Sequence, residues 1–216
     1  MVDVKFRKSP EKLLNFSFQD LVQGQSYGTF YLNNAYNSAG SLVYFISPTN
    51  SGSASIGLSV TTIEDVYTKA GDYDFDILVN TALTVQGKLY LNASSSLTAT
   101  SSGDPHGYLV IRLRKWDGTT ETEIGSIQTA DRTHSTDNTT LYYRESGIID
   151  ISSKVSFKIG EYIRITVEMW EKNSSGNSGT FTVYTDGEGR KTFTENATGA
   201  TIDSKFIIYI PFLDNT

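Results

Sequence analysis

Residues 162–186, YIRITVEMWEKNSSGNSGTFTVYTD, set the period from which the rest of the chain can be read. From Tyr162 the side chains alternate, with Tyr162, Arg164, Thr166, Glu168 and Trp170 on one side and Ile163, Ile165, Val167 and Met169 on the other. A two-residue period belongs to a half-buried β-strand, because successive side chains of an extended chain point to opposite faces. The run breaks at NSSGNSG, where Asn, Ser and Gly accept turn geometry, and resumes with Phe181 and Val183 in phase. The spacing predicts a long antiparallel hairpin at the centre of an all-β domain, its apolar side turned inward.

The same reading extends outward. Asp117-Gly118 lies between two alternating runs and is a strong hairpin signal, with Leu109, Ile111 and Leu113 in one phase and Tyr108, Val110, Arg112 and Arg114 in the other. In DYDFDILV the residues Tyr73, Phe75, Ile77 and Val79 read as core, and Asp72, Asp74 and Asp76 as a solvated face. Lys69-Ala70-Gly71 is expected to close the strand before it. The polar stretches 92–106 and 130–140 read as long exposed loops, and KTFTENATGATID (191–203) as an edge region. The final run KFIIYIPFL (205–213) is almost wholly apolar, which implies burial on both faces, within the protein or against a partner. No fixed-period repeat divides the chain. Residues 1–22 are expected to form an N-terminal arm and residues 23–216 a single antiparallel β-sandwich.

Composition narrows the function. The 216 residues carry a net charge of −6 and no cysteine, so disulfides and zinc–thiolate sites are excluded. An acidic balance argues against nucleic acid as a partner, and the few basic residues near the start, Lys5, Arg7, Lys8 and Lys12, read as a solvated tail. Neither a signal peptide nor an apolar run of about 18 residues is present, so a soluble protein without a membrane partner is expected.

Catalytic signatures are missing from the pattern. The two histidines, His106 and His134, fall in polar stretches without the paired spacing of a metal centre, and both read as surface loop residues. Asp72, Asp74 and Asp76 offer oxygen ligands, but alternate residues on a strand stand about 7 Å apart, too far for one ion without loop ligands. No nucleophile elbow, P-loop or dinucleotide fingerprint occurs. No catalytic residue, metal site or cofactor is therefore expected. Trp116, Trp170, Tyr108, Tyr142 and Tyr143 are the candidates for a ligand-stacking surface, since aromatic rings combine an apolar face with a polar edge.

The segments VSFKIGEYIRITVEMW (155–170), LVIRLRKWDGTTETEIGS (109–126) and KFIIYIPFL resemble late strands and hairpins of jelly-roll virion structural proteins of tailed bacteriophages and related viruses. The resemblance covers about the last half of the chain. It implies a jelly-roll-like sandwich acting as a non-enzymatic particle component: a capsid decoration, turret or tail accessory protein, made in the host cytoplasm and located in the virion. Its partners would be other virion proteins and copies of itself, a trimer being favoured. Phe6, Phe16, Phe18, Ile208, Ile210 and Phe212 are the expected assembly residues. The alternative expectation is a carbohydrate-binding β-sandwich module that attaches to a host or other glycan.

Overall fold

The computed structural model describes residues 14–15, 25–36, 42–48, 57–62, 65–100, 103–134, 139–173, 178–186 and 191–213. Their regular structure is all β. Strands β1 (Leu14–Asn15), β2 (Gln25–Tyr36), β3 (Leu42–Ser47), β4 (Gly57–Thr62) and β5 (Thr68–Leu78) lead into the long β6 (Leu83–Ala99). Then follow β7 (Pro105–Trp116), β8 (Glu121–Gln128), the short β9 (Arg132–Thr133), β10 (Thr140–Phe157), β11 (Tyr162–Asn173) and β12 (Gly179–Tyr184). Strands β13 (Thr192–Thr194), β14 (Thr201–Asp203) and β15 (Phe206–Leu213) complete the chain.

The pairings are nested. β7 pairs with β8, β6 with β10, β5 with β11 and β4 with β12, all antiparallel. A two-stranded ribbon folded over on itself gives this order, and it is the jelly-roll form of the antiparallel sandwich. The ribbon is split between two sheets. Strands β5-β11-β7-β8, with β9 on β7, make a small sheet, while β4, β12, β6 and β10 belong to a larger one extended by β15, β2, β3 and β1. The length of β6 allows that extension. One of its edges is taken by β10, and the other serves β12 over Ser94–Ala99 and β15 over Thr84–Ala93.

Alternation places the core as expected. Phe75, Leu109, Ile111, Leu113, Ile163, Ile165, Val167 and Met169 of the small sheet are buried against Leu89, Leu97, Ile149, Phe181 and Phe206 of the large one. Between β7 and β12 the two sheets interlock, because a Cβ on Gly107 would stand 2.8 Å from the Phe181 ring. The Asp117-Gly118 turn also forms as expected, with Gly118 at φ +96° and the Asp117 carboxylate accepting from the Thr119 and Thr120 N–H groups.

Several expectations are corrected. β11 and β12 are not the arms of one hairpin but lie in different sheets. Two strands that bury apolar residues in the same core have the same alternation whether they pair or face each other, so periodicity could not separate the cases. Residues 92–106 are not an exposed loop. β6 runs to Ala99, with Ala93, Ser94, Ser95, Ser96 and Leu97 all buried. The small polar residues fit there because the strand is covered on both faces. Ser95 and Leu97 fall in the inward phase, while Ser94 Oγ donates to Asp203 O (2.7 Å) and Ser96 Oγ meets the Tyr184 hydroxyl (3.1 Å). Lys69-Ala70-Gly71 lies inside β5, and residues 192–203 contain a separate small hairpin, β13–β14, whose Phe193 packs on Tyr142 and Tyr184.

The apolar final strand is buried by the protein itself. β15 sits between β2 and β6, and Ile208 and Ile210 are completely buried, so these two expected assembly residues are core. Phe212 is half-buried and packs edge-on against Phe30. Phe6, Phe16, Phe18 and the rest of the expected arm, apart from the short β1, lie outside the described residues.

Candidate functional site

Chemistry-bearing side chains converge on the outer face of the small sheet. There β7 and β11 run side by side in a register that opposes Trp170 to Tyr108 and Tyr162 to Trp116. The even-numbered residues of both strands face outward, away from the core.

At one end three rings form a platform. Tyr108 and Trp170 stack with centroids 6.1 Å apart and planes within 6°, and Tyr67, just ahead of β5, lies 5.0 Å from Tyr108. Lys172 Nζ stands 4.8 Å from the Tyr67 centroid, and His106 meets that ring edge-on. Carboxylates hold both ends of the row. Trp170 Nε1–H donates to Glu168 Oε2 (3.0 Å), and the Tyr67 hydroxyl donates to Asp131 Oδ2. Burial and this hydrogen bond together push the Tyr67 hydroxyl pKa well up, so the proton stays in the bond. His106 reaches Asp104 at 3.4 Å and Asp131 at 3.5 Å, the outer limit of hydrogen-bond distance.

Beneath the platform Glu168 is only 4% exposed. Burial would raise its pKa, but the hydrogen bonds from Arg112 and the Trp170 indole outweigh it and hold the carboxyl below the usual range, so it is charged at neutral pH. Arg112 donates to it through Nε (2.7 Å) and Nη2 (3.3 Å), and to Glu123 through Nη1 (2.9 Å). The carboxylates expected as a solvated face do lie outward, but with partners. Arg164 grips Asp76 through two 2.7 Å bonds and also reaches Asp74, while Lys69 meets Asp72. Beyond this lattice Trp116 and Tyr162 make a second aromatic cluster, centroids 4.9 Å apart, with the Arg164 guanidinium 4.1 Å over Trp116.

Three of the five expected ligand residues, Trp116, Trp170 and Tyr108, thus share one face. The other two lie elsewhere. Tyr142 stacks on Phe193 over the large sheet, and Tyr143 is buried with its hydroxyl donating to Thr133 O (2.9 Å). Neither histidine sits in a surface loop as expected: His106 is within β7, and His134 is buried at 2% exposure. His134 Nε2 is 2.9 Å from the Thr139 carbonyl and 3.0 Å from the Thr139 hydroxyl. A nitrogen whose proton goes to a carbonyl cannot also take one from the hydroxyl, so the pair fastens the chain and does not activate a nucleophile. Tyr67, Asp131, Lys172 and Tyr162 join the face although the sequence singled out none of them as binding residues. Tyr162 and Lys172 carried a signal, their place in the outward phase of β11, and Tyr67 and Asp131 carried none.

Among the described residues no group of His, Asp and Glu is arranged to hold a metal ion. A shallow concavity of about 390 Å³ between β8 and β10 is lined by residues such as Lys115, Glu123, Ile124 and Val155, with no imidazole among them.

No protein-family model matches the sequence, and no curated protein matches it. Solved structures do match in shape. A CocE/NonD family hydrolase from Staphylococcus aureus is 15% identical, with a TM-score of 0.50 over 88% of this chain and 37% of that one. An aminopeptidase from the marine sediment archaeon Thaumarchaeota archaeon is 11% identical, with a TM-score of 0.52 over 89% of this chain and 37% of that one. The likeness is one of fold. This chain spans little more than a third of those proteins, and at such identity the jelly-roll sandwich is all that is shared. The structure of infectious bursal disease virus Gt strain is 13% identical over 96% of this chain and 55% of that one, but its TM-score of 0.33 is too low to carry an argument.

Proposed function

We infer that this chain is a non-catalytic jelly-roll binding module that takes a carbohydrate on the outer face of its small sheet. The observation that carries this reading is the platform of Tyr67, Tyr108 and Trp170, whose outer rings are held in place by hydrogen bonds to carboxylates. Aromatic faces suit the C–H faces of sugar rings, and the fixed polar groups beside them suit hydroxyls. Rings already locked lose little freedom on binding, which raises affinity without added contacts.

The test is binding of Trp170→Ala and Trp170→Phe variants to immobilised glycans. Alanine is expected to weaken binding at least tenfold with an unchanged far-ultraviolet circular dichroism spectrum, while phenylalanine keeps most of it. Glycan binding that is unaffected by the alanine variant, or absent in the parent protein, would sink the reading.

A second reading, a structural component of a virus particle, is supported by the nested ribbon, an architecture used by capsid and lectin domains alike. A further feature suits protein contact. Tyr90 and Ile148, 40% and 48% exposed, are cross-strand neighbours on the large sheet. Virion location and self-assembly, a trimer first among the options, belong to this proposal. Sedimentation velocity separates the readings: a closed oligomer favours it, and a monomer at the highest soluble concentration counts against it.

A further inference from the structure

Trp116 and Tyr162 lie eight residues along the same pair of strands from Tyr108 and Trp170, opposite each other in the same register. Eight residues of extended chain span about 27 Å. Between the two aromatic rungs the outward positions of β7 and β11 are polar apart from Val110, and the three arginines there, Arg112, Arg114 and Arg164, are held by carboxylates at 2.7–3.3 Å. The small sheet therefore presents one continuous track with a ring cluster at each end and hydrogen-bonding groups of fixed direction along its middle.

We propose that this track is an extended binding site for a linear, uncharged oligosaccharide, with Tyr108–Trp170 and Trp116–Tyr162 as its two end subsites. The proposal rests on the carbohydrate reading above and adds the length and charge of the ligand. Charge complementarity selects the class. The guanidiniums along the middle of the track already have carboxylate partners, Lys172 at the platform end lies over the Tyr67 ring, and the chain carries a net charge of −6, so a polyphosphate or polysulfate chain would meet paired guanidiniums and an unfavourable field. A peptide strand is disfavoured for a different reason: the backbone groups of β7 and β11 are used in their own ladder, so a peptide on this face cannot add as a further strand. A neutral polyhydroxyl chain needs neither a free charge nor a free sheet edge. Two subsites joined through one ligand act with a high effective concentration, so affinity should climb once the ligand reaches both.

The experiment is titration calorimetry of the full chain with length-sorted gluco-, xylo-, manno- and N-acetylglucosamine oligosaccharides, from disaccharide to octasaccharide. At least one series is expected to gain tenfold or more in affinity as its members become long enough to span both clusters. Trp116→Ala should abolish that gain, whereas Trp170→Ala should weaken the binding of short and long members alike. Tyr162→Ser, a milder change, is expected to reduce the gain in the same direction should Trp116→Ala fail to fold. An affinity that is flat with length, yet still dependent on Trp170, overturns the extended site and leaves the platform standing. Failure of every series to bind at any length overturns both.

Discussion

Phe181→Ala is expected to destabilise the protein by about 3–5 kcal/mol, the usual cost of emptying a buried aromatic site. Phe181 is completely buried on β12 and fills the space that Gly107 leaves on β7, so it joins the two sheets where they face each other. In a domain of this size, with roughly 2–4 °C per kcal/mol, the midpoint of thermal unfolding should fall by about 10 °C. The interlock gives a sharper form of the test. Gly107→Ala alone drives a methyl group into a ring that cannot swing away and should cost about 1–3 kcal/mol. Combined with Phe181→Leu, the same alanine should cost markedly less than it does alone. Urea denaturation of the two single variants and the double variant measures this coupling, and strict additivity would refute the contact.

The second large effect is electrostatic. Glu145 on β10 is 1% exposed and lies against Arg132, whose Nε and Nη2 donate to its two oxygens at 3.0 and 3.1 Å, while Ser95 adds a 2.7 Å bond. Arg132 belongs to β9 in the small sheet, so this pair ties the sheets together as Phe181 does, but through charge. Removing one member of a buried pair leaves the other uncompensated, typically at about 3–5 kcal/mol. The Arg132 side chain is 24% exposed and water can partly replace it, so about 3 kcal/mol is expected for Arg132→Ala. Arg132→Met combined with Glu145→Gln removes both charges and keeps an acceptor for Ser95, and it should be more stable than Arg132→Ala. A loss below about 0.5 kcal/mol for Arg132→Ala, the range of an ordinary surface change, would show that the pair does not hold the sheets.

Much of the architecture was legible because alternation is a local signal. The inward phases of β5, β7 and β11 read directly from residues such as Phe75, Ile111 and Ile165, and Asp117-Gly118 marked its own turn. Partnership between strands was less legible. Nothing in the spacing of β11 and β12 distinguishes pairing from facing, and the run Ala93–Ser96 looks like a loop unless it is known to be covered twice. The site divides along the same line. Trp116, Trp170 and Tyr108 could be chosen by residue type and brought together by phase. Tyr142 and Tyr143 could not both belong to that surface, because neighbours on a strand point to opposite faces. Tyr67 and Asp131 are 64 residues apart, and their contact exists only once the small sheet has formed.

The nested ribbon has a further consequence for how such a domain can be combined with others. Gly57 of β4 pairs with Tyr184 of β12 at the ends of the ribbon, and of the strands that flank it Gln25, the first residue of β2, pairs with Leu213, the last residue of β15, so the chain enters and leaves the sandwich side by side. A unit whose entry and exit points are adjacent can be spliced into a surface loop of a host protein while disturbing little of either partner. Occurrence of this architecture as about a third of larger proteins is what that geometry permits. The aromatic face lies on the outside of the sandwich, where such a fusion would leave it open to ligand.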